Sequence, residues 1–395
     1  MPEDSHPFPF PEPDPESLRP LRALDAARRN QTRFLAALGH ELRNPLMPIR
    51  NSVALMRRAR PGDPIIQQAQ EIIERQVAHM IRLVDDLLDV SRMATGRISL
   101  AKEELDLADL VAAALAEQRP LLEANGVALD YQAPGKPVRA FADPARITQM
   151  VNHLLNNANK FTDRGGRVTV SLRANGDGHA VLSVRDEGIG MEPDTLGRLF
   201  EPFIQDLAVL GPAHGGLGLG LALVKGLAAL HGGTVSAWSD GPGRGSEFTL
   251  RLPLLKAGTP PQPRLPAAAV PGGIRPRRIL IVEDLLDAAI TMELLLEMMG
   301  HDVEVAADGQ TGLDKARSFE PEIILCDIGL PGQMNGYEVA RTIRGASSLK
   351  PPFLVALTGF GTAEDRAKAR LAGFDLHLTK PIDPASLEPL IASIP

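Results

Sequence analysis

Apolar and polar positions between about Leu21 and Met93 alternate with the spacing of amphipathic helices. The pattern is broken at RPGDP, residues 60–64, where proline and glycine favour a turn. The second helix carries a coiled-coil-like seam at Ile66, Ala69, Ile73, Gln76, Met80, Leu83, Leu87 and Val90. Because two such helices cannot bury their seams alone, we predict an all-α hairpin, residues 21–97, that pairs with a second copy in a dimeric four-helix bundle. The alternative is packing on the next domain of the same chain.

The middle of the chain has a mixed pattern. Helical spacing near Leu105 to Asn125 and Pro144 to Phe161 is followed by period-two runs, RVTVSL, HAVLSVRD, GTVSAWS and SEFTLRLP. These runs predict an α+β domain over residues 98–255. The next segment, residues 256–276, is rich in proline and glycine and has no periodicity, which is typical of a linker.

The last part of the chain, residues 277–395, alternates short apolar strands with helical segments. The strands are ILIV, VEVA, IILC, FLVAL and LHL, and the pattern predicts an α/β domain with a five-stranded parallel sheet. At the other end, residues 1–20 are acidic and proline-rich, without the basic start and apolar core of a signal peptide. We interpret them as a disordered leader.

Composition and charge narrow the class of protein. A chain of 395 residues that is 44% hydrophobic is long and apolar enough for several domains with cores, and its net charge of -7 disfavours direct nucleic-acid binding. The uncharged run at 207–224 is too rich in glycine for a membrane span. A single cysteine, Cys326, excludes an intrachain disulfide and fits a reducing compartment. We therefore predict a cytoplasmic protein with no membrane span.

One histidine in the first helix has no packing role. His40 falls between Leu38 and Leu42 of the apolar seam and should face away from it. An isolated histidine there is usually a solvated surface residue. With Glu41 beside it, however, a neutral imidazole could act as a nucleophile whose proton the carboxylate accepts.

Two glycine motifs flank the uncharged run of the middle domain: DEGIG at 186–190 and GGLGLG at 215–220. Glycine lets backbone N–H groups approach phosphate closely, and the second motif runs into a helical segment whose N-terminus favours anions. Upstream, Asn157 and Lys160 lie one helical turn apart and offer an amide oxygen for Mg²⁺ and a cation for phosphate. Together these features predict a nucleotide site.

The C-terminal domain has its own cluster at predicted strand ends. Glu283 and Asp284 follow the first strand, Asp327 the third, Thr358 the fourth and Lys380 the fifth. In a parallel sheet these ends share one edge. Three carboxylates meeting there would repel one another without a divalent cation, so a Mg²⁺ site is expected.

Nine sequence motifs now resemble those of one family. HELRNP, LLNNANKFT, DEGIG, LFEPF and GGLGLG stand in the order of the H, N, G1, F and G2 boxes of sensor histidine kinases. ILIVED, CDIGLPGQMNGYEVA, LTGF and LTKPID look like a response-regulator receiver domain. The chain thus resembles a hybrid sensor histidine kinase, which implies a Bergerat-type ATP-binding sandwich and a flavodoxin-like receiver. It also implies ATP-dependent autophosphorylation on His40 and phosphotransfer to Asp327.

The resemblance also assigns roles in the first two domains. Glu41 would be the general base for His40, with Asn44 completing the catalytic motif; Asn157 would hold Mg²⁺ and Lys160 would contact phosphate. Asp186 would hydrogen-bond the adenine amino group, and residues 203–215 would be the ATP lid. The glycines implied around ATP are Gly188, Gly190, Gly216, Gly218 and Gly220.

In the receiver, the resemblance makes Asp327 the phosphoacceptor. Glu283, Asp284 and the carbonyl of Gly329 would surround Mg²⁺ with it, while Thr358 and Lys380 would contact the phosphoryl oxygens. The implied partners are a second copy of the chain and a downstream histidine phosphotransfer protein or response regulator.

Two positions depart from the family pattern. His153 stands where the family usually has an asparagine, and His377 where many receivers carry an aromatic residue. The lid departs as well, because GPAHGG lacks the basic residue that commonly precedes its glycines. His153 and this lid leave open a catalytically weak nucleotide-binding scaffold that acts as a phosphoryl sink or phosphatase in a phosphorelay. A nucleotide-gated clamp is a further alternative, but it gives no reason for both His40 and Asp327.

Overall fold

The computed structural model describes residues 19–96, 98–202, 217–255, 275–332, 334–346, 351–359 and 363–394, with side chains from residue 36 onward except at 363 and 385. Two compact units divide the chain, one within residues 1–261 and one within 262–395. Most of the predicted leader lies outside the described residues, but its last two positions, Arg19 and Pro20, already belong to a helix. The predicted linker also lies almost entirely outside them.

The first unit begins with a helical hairpin, α1 (Arg19–Arg58) and α2 (Pro64–Ala94). The predicted turn lies between them, where Gly62 takes a left-handed φ of 85°. Asp63 caps α2, because its side chain accepts a hydrogen bond from the backbone nitrogen of Ile65 at 3.0 Å. The hairpin is confirmed.

The apolar side chains of α2 fall into two groups, one packed on the following domain and one exposed. The predicted seam positions are buried or half-buried, but Leu83 packs on Leu217, Leu219 and Leu223 of the following domain rather than on a free seam. A second stripe stays exposed within the chain, at Leu46, Met47 and Val53 of α1 and Val77, Val84 and Leu88 of α2. Part of the seam therefore follows the alternative interpretation, because helical spacing defines a face but does not specify which neighbour covers it.

The middle domain is an α+β sandwich. Its main sheet has the order β2-β4-β5-β7-β6, with β2 parallel to β4 and the other pairs antiparallel. The strands are β1 (Glu103–Asp106), β2 (Ala128–Gln132), β3 (Arg139–Ala142), β4 (Arg167–Asn175), β5 (His179–Asp186), β6 (Thr234–Trp238) and β7 (Ser246–Pro253). The helices are α3 (Leu107–Ala124), α4 (Pro144–Phe161), α5 (Pro193–Arg198) and α6 (Gly220–Leu230). Its core lies between the sheet and the long helices α3 and α4, where Met150, Leu154 and Leu250 are fully buried.

One boundary prediction in this domain is wrong. Leu105 and Asp106 belong to β1, which pairs with β3, and α3 begins only at Leu107. Asp106 ends the strand and caps the helix by accepting a hydrogen bond from the backbone nitrogen of Ala108 at 2.9 Å. β1, β2 and β3 escaped prediction because their short sequences, EELD, ALDYQ and RAFA, contain no β-branched residue and form no apolar run.

The second unit has the predicted five-stranded parallel sheet, and the structure gives its order as β12-β11-β10-β8-β9. Its strands are β8 (Arg278–Val282), β9 (Asp302–Ala306), β10 (Ile323–Asp327), β11 (Phe353–Thr358) and β12 (Leu376–Thr379). Its helices are α7 (Leu286–Met298), α8 (Gly309–Phe319), α9 (Gly336–Gly345), α10 (Ala363–Ala372) and α11 (Pro384–Ser393). Across the described ranges of the whole chain, none of the helices combines the length and apolarity needed to span a bilayer.

Candidate functional site

His40 lies on the exposed side of α1, as its position outside the seam predicts. One turn further on, the amide nitrogen of Asn44 is 3.2 Å from its Nδ1 atom. This contact orients the imidazole ring. Glu41 is half-buried beside it. The helix therefore presents the ring outward in a fixed orientation, next to a carboxylate.

A cavity of about 440 Å³ opens between α4, α6, the turn after β5 and the end of α2. It brings together six of the predicted binding residues: Asn157, Lys160, Asp186, Gly190, Gly218 and Gly220. Gly188 lies in the turn at its edge, while Gly216 and the predicted lid at 203–215 lie outside the described residues. Three segments, each separated from the next by more than twenty residues of sequence, thus meet at one site.

Asp186 and its glycines form one end of this cavity. Asp186 is buried, and its Oδ1 accepts a hydrogen bond from the nitrogen of Gly188 at 2.9 Å. Burial raises the pKa of Asp186, although hydrogen bonds from backbone nitrogens oppose the rise. A Cβ atom at Gly188 would lie 2.2 Å from the carbonyl oxygen of Phe161, and one at Gly190 would lie 2.1 Å from that of Gly241. The turn can therefore pack this closely against the carbonyl oxygens of Phe161 and Gly241 only if both positions are glycine.

Lys160 and the start of α6 form the other end. Burial lowers the pKa of Lys160, and the carboxylate of Glu41 acts in the opposite direction. Glu41 is thus near enough to interact electrostatically with a cation of the cavity. The first residues of α6 line the cavity too, and Gly218 before them has a left-handed φ of 65°. A cation and a helix N-terminus together favour an anionic group here.

The hairpin contributes to this cavity, which the sequence analysis missed. Leu83 and Asp86 of α2 are part of its wall. Asp89 of α2 is buried, with Oδ2 2.5 Å from Nη1 of Arg146 and 3.0 Å from Nε2 of Gln149. The available signal was the spacing of polar residues on α4, which places Arg146 and Gln149 on one face with the cavity residues.

The receiver site collects its predicted residues at the carboxyl edge of the sheet. Ligand atoms of Glu283, Asp284 and Asp327 lie within 4.8 Å of one another. The Nζ atom of Lys380 is hydrogen-bonded to Glu283 and lies 2.9 Å from Oδ2 of Asp327. Thr358 is buried at the end of β11, the strand next to β10. The strand-end argument is thus supported by the geometry.

A divalent cation fits this donor set. Glu283 is 3% exposed, and its Oε1 atom is buried without a hydrogen-bond partner among the described residues. Burial would lower the pKa of Lys380, but its hydrogen bonds to Glu283 and Asp327 raise the value, so the side chain stays cationic. The single positive charge of Lys380 cannot neutralise three carboxylates, and the remaining negative charge favours Mg²⁺ at this site. For Gly329, the structure shows its N–H donating to Asp327 at 2.9 Å; its carbonyl as a metal ligand stays a prediction.

The chain is similar to large sensor proteins. It is 32% identical to the autoinducer 2 sensor kinase/phosphatase LuxQ of Vibrio cholerae, over 93% of this chain and 43% of LuxQ. It is also 32% identical to the virulence sensor protein BvgS of Bordetella bronchiseptica, over 91% of this chain and 30% of BvgS. The chain thus spans less than half the length of these curated relatives. Among solved structures, full-length ShkA in complex with AMPPNP is 23% identical, covering 91% of this chain and 98% of ShkA, with a TM-score of 0.44.

Three family models match successive parts of the chain. Residues 30–96 match the His Kinase A (phospho-acceptor) domain. Residues 142–256 match the histidine kinase-, DNA gyrase B-, and HSP90-like ATPase, and residues 279–392 match the response regulator receiver domain. The chain therefore carries, in order, the phosphoacceptor, ATPase and receiver domains that these models describe.

Proposed function

We propose that this chain is a protein histidine kinase that transfers the γ-phosphoryl group of ATP to His40 and then to Asp327. The observation that carries the proposal is the cavity in which Asn157, Lys160 and Asp186 meet the glycines at the start of α6, a set of groups that suits a nucleotide phosphate. His40, whose ring Asn44 orients, is an exposed imidazole of the same unit. Because the proposed substrate is ATP, we place this activity in the cytoplasm.

In the first step, a ring nitrogen of His40 attacks the γ-phosphorus. A P–N bond forms, the bond from phosphorus to the bridging β–γ oxygen breaks, and ADP leaves. The ring loses one proton, which Glu41 accepts. Asn44 keeps the ring oriented through its contact with Nδ1. Mg²⁺, which Asn157 would hold, would neutralise part of the phosphate charge. Lys160 adds a second positive charge at the site.

In the second step, a carboxylate oxygen of Asp327 attacks the same phosphorus. An acyl phosphate forms, the P–N bond breaks and the leaving imidazole takes up a proton from water, so that it departs as a neutral ring. Lys380 already lies 2.9 Å from Asp327, where it can stabilise the developing charge on the phosphoryl oxygens, with Thr358 at the neighbouring strand end. Mg²⁺ held by Glu283, Asp284 and Asp327 would offset the carboxylate charge that otherwise repels the incoming phosphate.

A second copy of the chain is the partner that the hairpin favours. Val77, Val84 and Leu88 recur on α2 and are 37–44% exposed, which leaves a stripe of large apolar side chains uncovered by the chain itself. Pairing of two hairpins would cover this stripe in a four-helix bundle. We further propose a histidine phosphotransfer protein or response regulator as the downstream acceptor.

Incubation with radiolabelled ATP and Mg²⁺ tests the proposal. Wild type should gain alkali-stable, acid-labile label, and His40→Gln should abolish it. His79→Gln, which removes another histidine of the hairpin, is the matched control and should keep the label. An unlabelled wild type would contradict the proposal and favour the nucleotide-binding scaffold.

A further inference from the structure

One face of α4 connects the hairpin to the nucleotide cavity. Arg146, Gln149, His153, Asn157 and Lys160 follow one another at intervals of three or four residues and therefore share that face. The first two contact Asp89 of the hairpin, and the last two line the cavity. His153 stands between these two groups and also lines the cavity. His153 is thus the residue through which the hairpin contact and the nucleotide cavity can influence each other.

The ring of His153 is held from two sides. Its Nε2 atom lies 3.1 Å from Oδ1 of Asp86, without the geometry of a hydrogen bond, and is buried with no hydrogen-bond partner in the described part of the chain. On the other side, a Cβ atom at Gly220 would lie 3.0 Å from Nδ1. The ring therefore fills the gap between α2 and the first residue of α6. The ring thus presents Nε2 to Asp86 and Nδ1 to the start of α6, and the nitrogen that carries the proton donates to Asp86 or to an anion at the N-terminus of α6, respectively.

Asp86 brings a carboxylate to the same wall of the cavity. The other charged groups around it are already committed: Asp89 is paired with Arg146, and the pKa of Asp85 is raised by burial and by the charges of Asp89 and Asp86. An additional negative charge at this wall of the cavity would therefore repel Asp86. A triphosphate carries several such charges, and more of them than a diphosphate.

We propose that His153 and Asp86 form a latch that responds to the nucleotide's terminal phosphate. A triphosphate accepts the ring N–H of His153 and repels Asp86, which loosens α2 from α4. A diphosphate or an empty cavity leaves the hairpin held. Loading with triphosphate and release of the hairpin are then coupled, so each favours the other. The inference rests on the proposed function only in taking ATP as the ligand.

Nucleotide affinity in the full-length chain tests the latch. A His40→Gln background removes turnover, and titration calorimetry with Mg²⁺ compares ADP with a non-hydrolysable ATP analogue. Asp86→Asn removes the repelled charge and should tighten binding of the triphosphate roughly fivefold or more, with a smaller effect on ADP. Asp85→Asn removes the same charge from the preceding residue, which has no contact with His153, and should change both affinities by less than about twofold.

His153→Asn completes a double-mutant cycle. The shorter side chain keeps an amide N–H but no longer holds Asp86, so the latch is already open and Asp86→Asn should keep only the part of its effect that comes from direct repulsion of the triphosphate. Equal shifts for Asp85→Asn and Asp86→Asn, or an unchanged ratio of triphosphate to ADP affinity, would overturn the latch while leaving the proposed kinase activity intact. If neither the parent nor any variant binds the triphosphate, both the latch and the proposed kinase activity are overturned. Unchanged thermal unfolding of each variant shows that the affinities report on folded protein.

Discussion

The receiver site and the nucleotide cavity are both suited to phosphate, but they are assembled in different ways. At the receiver site, Glu283, Asp327 and Lys380 come from one sheet edge, and each follows directly from the end of a strand. The cavity instead takes its wall from the ATPase domain and from the hairpin, where Leu83 and Asp86 contribute. The first site depends on strand register, whereas the second also depends on how the hairpin packs on its neighbour.

This difference predicts different sensitivities. Substitutions at the α2–α4 contact should disturb the nucleotide cavity but leave the receiver unchanged. A change in the concentration of divalent cation should affect the receiver carboxylates Glu283, Asp284 and Asp327 even when nucleotide is absent. The following variants separate the two sites, in order of expected effect.

Removing Arg146 should produce the largest loss. Arg146→Ala leaves the buried carboxylate of Asp89 without its ion pair and should lower the free energy of unfolding by about 3–4 kcal/mol, in the range for a broken buried pair. Urea denaturation followed by circular dichroism measures the change. The control is Arg198→Ala, whose pair with Glu201 is mostly exposed and should cost at most about 1 kcal/mol. Equal losses for the two variants would show that the hairpin contact does not support the cavity.

Removing the amide of Asn157 should affect nucleotide binding next most strongly. Asn157→Ala should weaken Mg²⁺-dependent ATP binding by about a hundredfold, or ~3 kcal/mol, because a metal ligand is lost where the ion meets phosphate. Titration calorimetry with and without Mg²⁺ isolates the metal-dependent part of the ATP affinity. Asn159→Ala, which alters a neighbouring amide outside the cavity wall, is the control. An ATP affinity that is unchanged by Asn157→Ala would remove the residue from the binding site.

Mg²⁺ alone should stabilise the receiver. At a concentration one hundred times its dissociation constant, the ion should add about 2.7 kcal/mol to the free energy of unfolding of that unit. Glu283→Gln removes a carboxylate of the cluster and should weaken the effect, which thermal unfolding of the second unit can measure. Glu322→Gln, at another strand boundary of the same sheet, should keep it. A response to Mg²⁺ that persists in Glu283→Gln would argue against the proposed ligand set.

The exposed hairpin stripe should give the smallest effect. Because Leu83 packs inside the chain, the test of dimerisation belongs at Val84 and Leu88, which are 44% and 37% exposed. Replacing both with glutamate should raise the dimer dissociation constant about tenfold or more, since charge would be buried at the interface. Sedimentation of wild type and variant measures it, with Leu121→Glu, an exposed position on α3, as control. A monomeric wild type at micromolar concentration would show that the stripe is covered in another way.

The sequence predicted the receiver more completely than the cavity, and the reason is physical. In a parallel sheet, a residue at the end of a strand reaches a known edge, so Asp327 and Lys380 could be placed without knowing any packing contact. Glycines near Asp186 could be assigned to a close backbone approach for a similar local reason. The contact between Asp86 and His153 could not be predicted, because it joins α2 to α4 across more than sixty residues and depends on tertiary packing.

Short elements were the other source of error. β1, β2 and β3 have four or five residues each, and Leu105 was assigned to a helix although it pairs with Ala140 in a strand. The helical spacing of apolar residues along the eighteen-residue α4, by contrast, predicted both of its ends, at Pro144 and Phe161. Segments with helical spacing or with runs of β-branched and apolar residues were therefore predicted, whereas the short strands without such residues were not.

The path of the phosphoryl group is the most direct test of the account. Asp327→Asn and wild type are labelled with radioactive ATP and Mg²⁺ and then chased with unlabelled ATP, and alkali-stable label on His40 is followed over time. The account predicts that Asp327→Asn accumulates this label and loses it slowly, because its acceptor carboxylate is gone, whereas in wild type the label drains through an alkali-labile pool. Identical amounts and identical decay of the alkali-stable label in the two proteins would contradict the transfer from His40 to Asp327.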